Sequence, residues 1–351
     1  MGRARIAPTL VMLALVCATL GALSAAGYTA GRGIDSDLRF LEPRRSPTVD
    51  EALLAYPVEY ALRSDEKNDA IFVGDSTCRC GIDPLQFERV SGLRAFNLGS
   101  LGNAGPTGFL ITAEAYLWKH PRPQVVVLCM APTGFELNGA DMAAKIGSNL
   151  PLRFEANYGP EVPGLVPFEE SVEYFIKRGS LSLWEEAFFW DKQTTRDVRD
   201  LPMVGRLDQT FRTIQRKSQE VRGFHPLVGL HGKRFQLDTP SVPVRIDPTW
   251  DRSVRLLEER CESLGVPLLI RFSPMPSDLA QEKDFTPVER WAHDLQAAYP
   301  RLHVGQPVLL WYDWALCYDN LHLNAAGIEV YMKRLAQDIR PLISAVPQSR
   351  H

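Results

Sequence analysis

The chain of 351 residues sets 39 Lys and Arg against 42 Asp and Glu, a formal charge of −3, so it lacks the basic excess that would drive nucleic-acid binding. A hydrophobic fraction of 45%, with 26 Pro and 25 Gly spread along the chain, excludes disordered and collagen-like classes. The length allows one large α/β domain or two smaller ones. No internal repeat, basic block or low-complexity tract is visible.

The first segment reads as an export signal. Arg3 and Arg5 precede an apolar stretch from Ile6 to Gly27, with Ser24, Ala25 and Ala26 offering small residues for cleavage. The same stretch is long enough, at roughly twenty residues, to cross a bilayer as an uncleaved anchor. Residues 1–27 are therefore expected to be a signal peptide or an N-terminal membrane anchor. Arg32, Arg39, Arg44 and Arg45 follow the stretch, so flanking charge does not choose between the two. Val16 is too bulky for Cys17 to belong to a lipoprotein site. Residues 28–48, with Gly31, Gly33, Pro43 and Pro47 among many charges, read as a linker.

From residue 49 the pattern becomes α/β. Asp50 is a candidate cap for a helix that buries Leu53, Leu54, Val58 and Leu62. The short apolar run Ala70-Ile71-Phe72-Val73, stopped by Gly74, suits a strand buried on both faces. Arg94 to Leu98 is a second strand candidate, followed by the turn Gly99-Ser100-Leu101-Gly102-Asn103. A helix is predicted over Pro106 to Lys119, and Gln124 to Met130 is the clearest buried strand. The rhythm resumes with a capped helix start at Asp247-Pro248, a face of Val254, Leu257, Cys261 and Leu264, and a stop at Gly265. Strands at Val266–Ile270 and Leu302–Val304 flank a helix over Pro287–Ala298, and a last helix begins near Asn324. Strands alternating with helices, without hairpin turns, predict a three-layer α/β/α sandwich with a mostly parallel sheet over residues 49–345. Residues 137–246, aromatic-rich and broken by Gly and Pro, read as a large helical insertion: a substrate lid or membrane-facing cover, or helices that simply pack.

Two motifs carry chemistry. Gly74-Asp75-Ser76 follows the first buried strand, where a Ser on a strand-to-helix turn is exposed at the sheet edge. Taken alone it is weak, because turns favour these residues for backbone reasons. Near the other end lies Tyr318-Asp319-Asn320-Leu321-His322-Leu323-Asn324, just before the terminal helix. An Asp three residues before a His can hold one imidazole nitrogen and leave the other free for a Ser hydroxyl. With seven histidines in the chain, that spacing too is weak by itself.

Together, and in this order, Ile71 to Ser76, Asn97 to Asn103 and Tyr318 to Asn324 resemble the conserved blocks of the SGNH/GDSL hydrolases. The likeness is nearest to exported or membrane-anchored members that add or remove acyl groups on cell-surface polysaccharides. It implies Ser76 as nucleophile, His322 as base and Asp319 as its partner, with the Gly102 N–H and that of Ser76 in the oxyanion hole. One block departs. Where the family carries an Asn within G-x-N-D, this chain reads Ala131-Pro132-Thr133-Gly134, which leaves Thr133 or Asn103 as substitute donors. The expected function is hydrolysis or transfer of an acyl ester outside the cytoplasm, on an acylated small molecule or polysaccharide. The rival expectation is a non-catalytic SGNH-like protein that binds a polysaccharide or an assembly partner.

No G-x-S-x-G surrounds Ser76, which argues against an α/β-hydrolase. Cys78-Arg79-Cys80 with the distant Cys317 lacks the paired spacing of a zinc site, so neither metal nor cofactor is expected. Cys129 and Cys261 fall on apolar faces and read as small buried hydrophobes. If the triad assembles, Cys78 or Cys80 comes near Cys317, and a disulfide between them is an expectation to test. His225 and His231 are candidate substrate contacts within the insertion, or ordinary solvated or core histidines, and Ser273-Pro274-Met275-Pro276 either lines the cleft or simply ends its strand.

Overall fold

The computed structural model describes residues 49–136, 216, 218–225, 227 and 243–344. The predicted signal or anchor, the linker, His231 and most of the insertion lie outside these residues. In chain order the elements are α1 (Val49–Arg63), β1 (Ala70–Gly74), α2 (Ser76–Gly81), α3 (Pro84–Ser91), β2 (Ala95–Gly99) and α4 (Gly105–Lys119). There follow β3 (Val125–Met130), α5 (Pro248–Leu264), β4 (Leu268–Phe272), β5 (Met275–Pro276), α6 (Leu279–Glu282), α7 (Thr286–Ala298), β6 (Leu302–Val304), β7 (Trp311–Tyr312) and α8 (Ala325–Ser344).

The main sheet has five strands in the order β2-β1-β3-β4-β6, all parallel. Each strand sends alternate side chains to opposite faces, and both faces are covered. Ile71, Val73, Val126 and Leu128 pack with Leu54 of α1, Ile111 of α4, Leu257 of α5 and Val288 of α7. Phe72, Val125, Val127 and Cys129 pack with Phe87 of α3 and Tyr331 and Leu335 of α8. This is the three-layer α/β/α architecture, and burial on both faces explains why β1 and β3 are continuous apolar runs.

Local chemistry sets the ends. Asp247 accepts from the Thr249 amide at 2.9 Å to start α5, with Pro248 at its first position, and Gly265 ends it in the left-handed conformation. The Val266 amide bonds back to Cys261 O at 2.9 Å. Val266 thus belongs to the helix terminus, and β4 begins two residues later than its apolar run suggests. The first helix begins at Val49, so Asp50 lies inside it and is not its cap. The short α2 starts at Ser76, where a strand-to-helix turn is expected, whereas the two-stranded parallel sheet of β5 and β7 has no signal in the sequence, because two residues are too few to show a period.

What is described of the insertion is tied to the body. Arg222 O accepts from the Asn97 amide at 2.9 Å, beside the outer edge of β2. Gly223, at φ +86°, lies so close that a Cβ there would stand 1.8 Å from Asn97 O. Among the described residues no helix is long and apolar enough to cross a membrane.

Candidate active site

The strand order reverses between β1 and β3, the switch point at whose carboxyl edge open α/β sheets leave a crevice for ligands. Gly74 ends β1 there. A Cβ at this position would sit 1.6 Å from Cys129 O, so only glycine lets the chain leave β1 this close to β3. Asp75 then caps α2. Its Oδ1 accepts from the Thr77 amide at 2.8 Å, the Thr77 hydroxyl at 2.6 Å and the Cys78 amide at 3.4 Å, while its carbonyl takes the Arg79 amide. Its Oδ2 accepts from the Ala131 amide, beyond β3, at 2.9 Å. The Ser76 N–H is the donor at the helix start that this cap does not use.

Ser76, half-buried, stands on the first residue of α2. Its hydroxyl lies 3.1 Å from His322 Nε2. His322 Nδ1 lies 3.0 Å from both carboxylate oxygens of Asp319. Asp319 is buried, and its Oδ1 also accepts from the Leu321 and His322 amides, each at 2.8 Å. Burial pushes this carboxyl up, but the hydrogen bond and charge of His322 with the two amides outweigh it and hold the group below the usual carboxylate range. The Asp319–His322 loop closes on itself: the Tyr318 amide donates to His322 O at 2.7 Å, and Cys317 and Leu323 form an antiparallel bridge. Asn324 fastens its base, with Nδ2 on Ala315 O at 2.7 Å and Oδ1 accepting from the Gly327 amide at 3.1 Å.

The structure thus brings together Ser76, His322 and Asp319 from opposite ends of the domain. Gly102 follows β2 on the same edge and borders open space, since an added Cβ would meet nothing within 4 Å. The loop leading to it is drawn toward Ser76 by the Ser100 amide, which donates to Gly74 O at 2.8 Å. Thr133 is half-buried in the 3-10 turn Pro132–Glu136 after β3. The side chain of Asn103 lies outside what the structure describes. Among the described residues, no group of three or more His, Cys, Asp or Glu is arranged to hold a metal ion.

Two expectations need correction. None of the five described cysteines is in a disulfide, so neither Cys78 nor Cys80 pairs with Cys317. The Cys78 Sγ donates to Asn97 Oδ1 at 3.4 Å, whereas Cys317 Sγ faces Asp313 O at 3.6 Å. Burial pushes the Cys80 thiol up to about 11 and that of Cys317 up to about 12, so neither is a ready nucleophile. Ser273 does not line a cleft: it is buried, and its hydroxyl donates to Thr77 Oγ1 at 2.6 Å, supporting α2 from below. His225 is engaged within the chain, its Nε2 2.6 Å from Ser218 Oγ.

One residue escaped the sequence reading. Asn97, in β2 and fully buried, donates from Nδ2 to Cys78 O at 2.9 Å and Ile82 O at 2.8 Å, and its Oδ1 accepts from the Gly99 amide at 2.8 Å. It pins the far end of α2 as Asp75 pins the near end. An Asn inside a buried strand was the available signal, since such a polar group has to find partners.

No protein-family model and no curated protein matches the sequence. Fold and geometry therefore define the class: a parallel α/β/α sandwich with a Ser–His–Asp constellation at its carboxyl edge.

Proposed function

We propose that this protein is a serine-type acyl-ester hydrolase or O-acyltransferase of the SGNH/GDSL kind, acting outside the cytoplasm on an acylated carbohydrate. The observation that carries the reading is the chain of contacts from Ser76 Oγ to His322 Nε2 and from Nδ1 to Asp319, at 3.1 and 3.0 Å. In the reaction, Ser76 Oγ attacks the ester carbonyl carbon while its proton passes to His322 Nε2. Asp319 accepts from Nδ1–H, which fixes the tautomer and favours the imidazolium that forms. The Ser76 and Gly102 amides receive the oxyanion. Collapse of the tetrahedral species breaks the C–O bond, and the leaving alcohol takes the proton from His322. Water or a sugar hydroxyl, deprotonated by His322, then attacks the acyl-enzyme and Ser76 regains its proton. The same residues serve hydrolysis and transfer, and exclusion of water decides between them.

The basic residues Arg3 and Arg5 before the Ile6–Gly27 apolar stretch support export, with the domain released or tethered. A reporter fused to the carboxyl terminus is expected to be active only outside the cytoplasm. The second reading, a polysaccharide-binding protein without turnover, is favoured by Ala131-Pro132-Thr133 standing where the family has its oxyanion Asn. Loss of one such donor is worth about 3 kcal/mol in the transition state. Hydrolysis of 4-nitrophenyl acetate by the purified protein, beside Ser76→Ala, decides. Turnover lost in the variant supports the enzyme; turnover equal in both, or absent from both, leaves the binding protein.

A further inference from the structure

Next to Ser76 begins a continuous hydrogen-bonded chain of buried side chains that crosses the sheet. Thr77 Oγ1, in α2, lies 2.6 Å from Asp75 Oδ1, and Ser273 Oγ, just past β4, lies 2.6 Å from Thr77 Oγ1. Cys129 Sγ, in β3, stands 3.4 Å from Ser273 Oγ and 3.3 Å from the hydroxyl of Tyr331, in α8. Ser273 is itself fixed through its amide, which donates to Met130 O at 2.9 Å and extends the pairing of β3 with β4.

The chain runs in one direction. Both Asp75 oxygens accept from backbone amides, so this end only accepts. Thr77 therefore donates to Asp75, Ser273 to Thr77, the Cys129 thiol to Ser273, and the Tyr331 hydroxyl to the Cys129 sulfur. Each group carries a single proton and directs it to the next, so removing one member leaves its neighbour without a fixed orientation.

The two ends of the chain belong to the two halves of the triad. Asp75 and Thr77 flank Ser76 and set the start of α2. Tyr331 lies on α8, whose start is fastened by Asn324 to the loop that carries Asp319 and His322. Met332, Leu335 and Ile339 hold α8 on the sheet by apolar contact, which is non-directional and tolerates sliding. Hydrogen bonds are directional, so the chain sets where α8 comes to rest. The 3.1 Å between Ser76 Oγ and His322 Nε2 depends on that resting place, and a misplacement of about 1 Å can cost about 10²-fold in rate. We propose that Thr77, Ser273 and Tyr331 are positioning residues, which act through Cys129 to register α8 and its His322 against α2 and its Ser76. The proposal rests on the acyl-ester reading and adds the residues that set its geometry.

Three shape-conserving variants each remove one hydroxyl from the chain: Thr77→Val, Ser273→Ala and Tyr331→Phe. In the full-length protein each is expected to lower kcat on 4-nitrophenyl acetate by about 10- to 100-fold, with KM within about twofold. Thr77→Ser, which keeps the hydroxyl, should retain most of the rate that Thr77→Val loses. Ser273→Ala joined to Tyr331→Phe should lose little more than either alone, because both break one chain. Ile339→Val, which takes a methylene from the same helix, should lower the denaturation midpoint without lowering kcat. Single variants that keep kcat within about twofold, losses that multiply in the double variant, or an equal loss in Ile339→Val would overturn the positioning. An unmutated protein that turns over no ester refutes the enzyme alone. The positioning is then read by NMR from the ring resonances of His322, identified by their absence from His322→Ala. Ser273→Ala and Tyr331→Phe should displace them and Ile339→Val should not; resonances that the first two variants leave in place overturn it.

Discussion

Ser76 and His322 stand on two short connections at one sheet edge, built by opposite means. The nucleophile turn is held by groups far away in sequence: the Ala131 amide on Asp75 at 2.9 Å, the Asn97 side chain on Cys78 and Ile82 carbonyls at 2.9 and 2.8 Å, and Ser273 on Thr77 at 2.6 Å. The Asp319–His322 loop is held mostly by itself, through the Asp319 carboxylate on two amides of its own turn and the Tyr318 amide on His322 O. The nucleophile geometry therefore exists only once β1, β2, β3 and β4 have assembled. The Asp319–His322 geometry is local and needs only to be delivered to Ser76 by α8.

The largest expected effects concern chemistry. Ser76→Ala and His322→Ala are each expected to lower kcat on an acetyl ester by at least about 10⁴-fold, with an unchanged denaturation midpoint. Asp319→Asn should follow at about 10⁴-fold, because the amide favours the wrong tautomer. An Asp319→Asn enzyme keeping more than a tenth of the activity would remove Asp319 from its orienting role.

Next come effects on stability at the nucleophile turn. Asp75→Ala strands three amide donors and a hydroxyl, and Asn97→Ala strands the Ile82 carbonyl and the Gly99 amide, while the Cys78 carbonyl keeps only the Ile82 amide. Each should cost about 2–4 kcal/mol by urea denaturation. Asp75→Asn sharpens the point. Both oxygens of Asp75 accept from backbone amides, so either orientation of the amide sets its NH₂ against an N–H donor. Full stability in Asp75→Asn would mean that long-range pinning does not hold this turn.

Two buried carboxylates extend the contrast. Burial pushes Glu114 up to about 7, and Arg260 at 3.2 Å draws it only part of the way back. The folded protein keeps this proton where the unfolded chain, near 4.3, has lost it. Stability from this site is therefore complete below about pH 4.3 and declines as pH rises to about 7, by roughly 1–3 kcal/mol. Glu114→Gln should flatten the profile, and an unchanged slope between pH 5 and 7 would show that Glu114 stays ionised throughout.

The parts legible in the sequence are those where one segment carries its own evidence. β1 and β3 show as apolar runs because both of their faces are buried, and α5 shows through Asp247, Pro248 and Gly265. Asp319 and His322 were legible as a pair because their contact lies within one turn. The placement of Ser76 needed the likeness between blocks, since nothing near Gly74 reveals that β3 passes within reach. Asp75, Asn97 and Ser273 were not legible as supports, because their partners are backbone or hydroxyl groups on other strands. The cysteines misled for the same reason. Nearness to the triad in sequence suggested pairing, but the direction of each thiol is set by Asn97 and Asp313.

The smallest expected effect tests the self-contained loop directly. Asp319 is as buried as Glu114 yet shifts the other way, because three N–H donors, from His322 Nδ1 and the Leu321 and His322 amides, converge on it. Its folded carboxyl titrates below its unfolded value of about 3.9. Above about pH 4 the native state thus holds the whole contribution, which is lost as pH falls through the folded value. Asp319→Asn has no such proton to bind. The stability difference between the unmutated protein and Asp319→Asn should narrow below about pH 4 in a series of denaturation midpoints. A difference that stays constant down to pH 3 would mean that the loop is held by its backbone alone. Asp319 would then orient the imidazole without closing the turn that carries it.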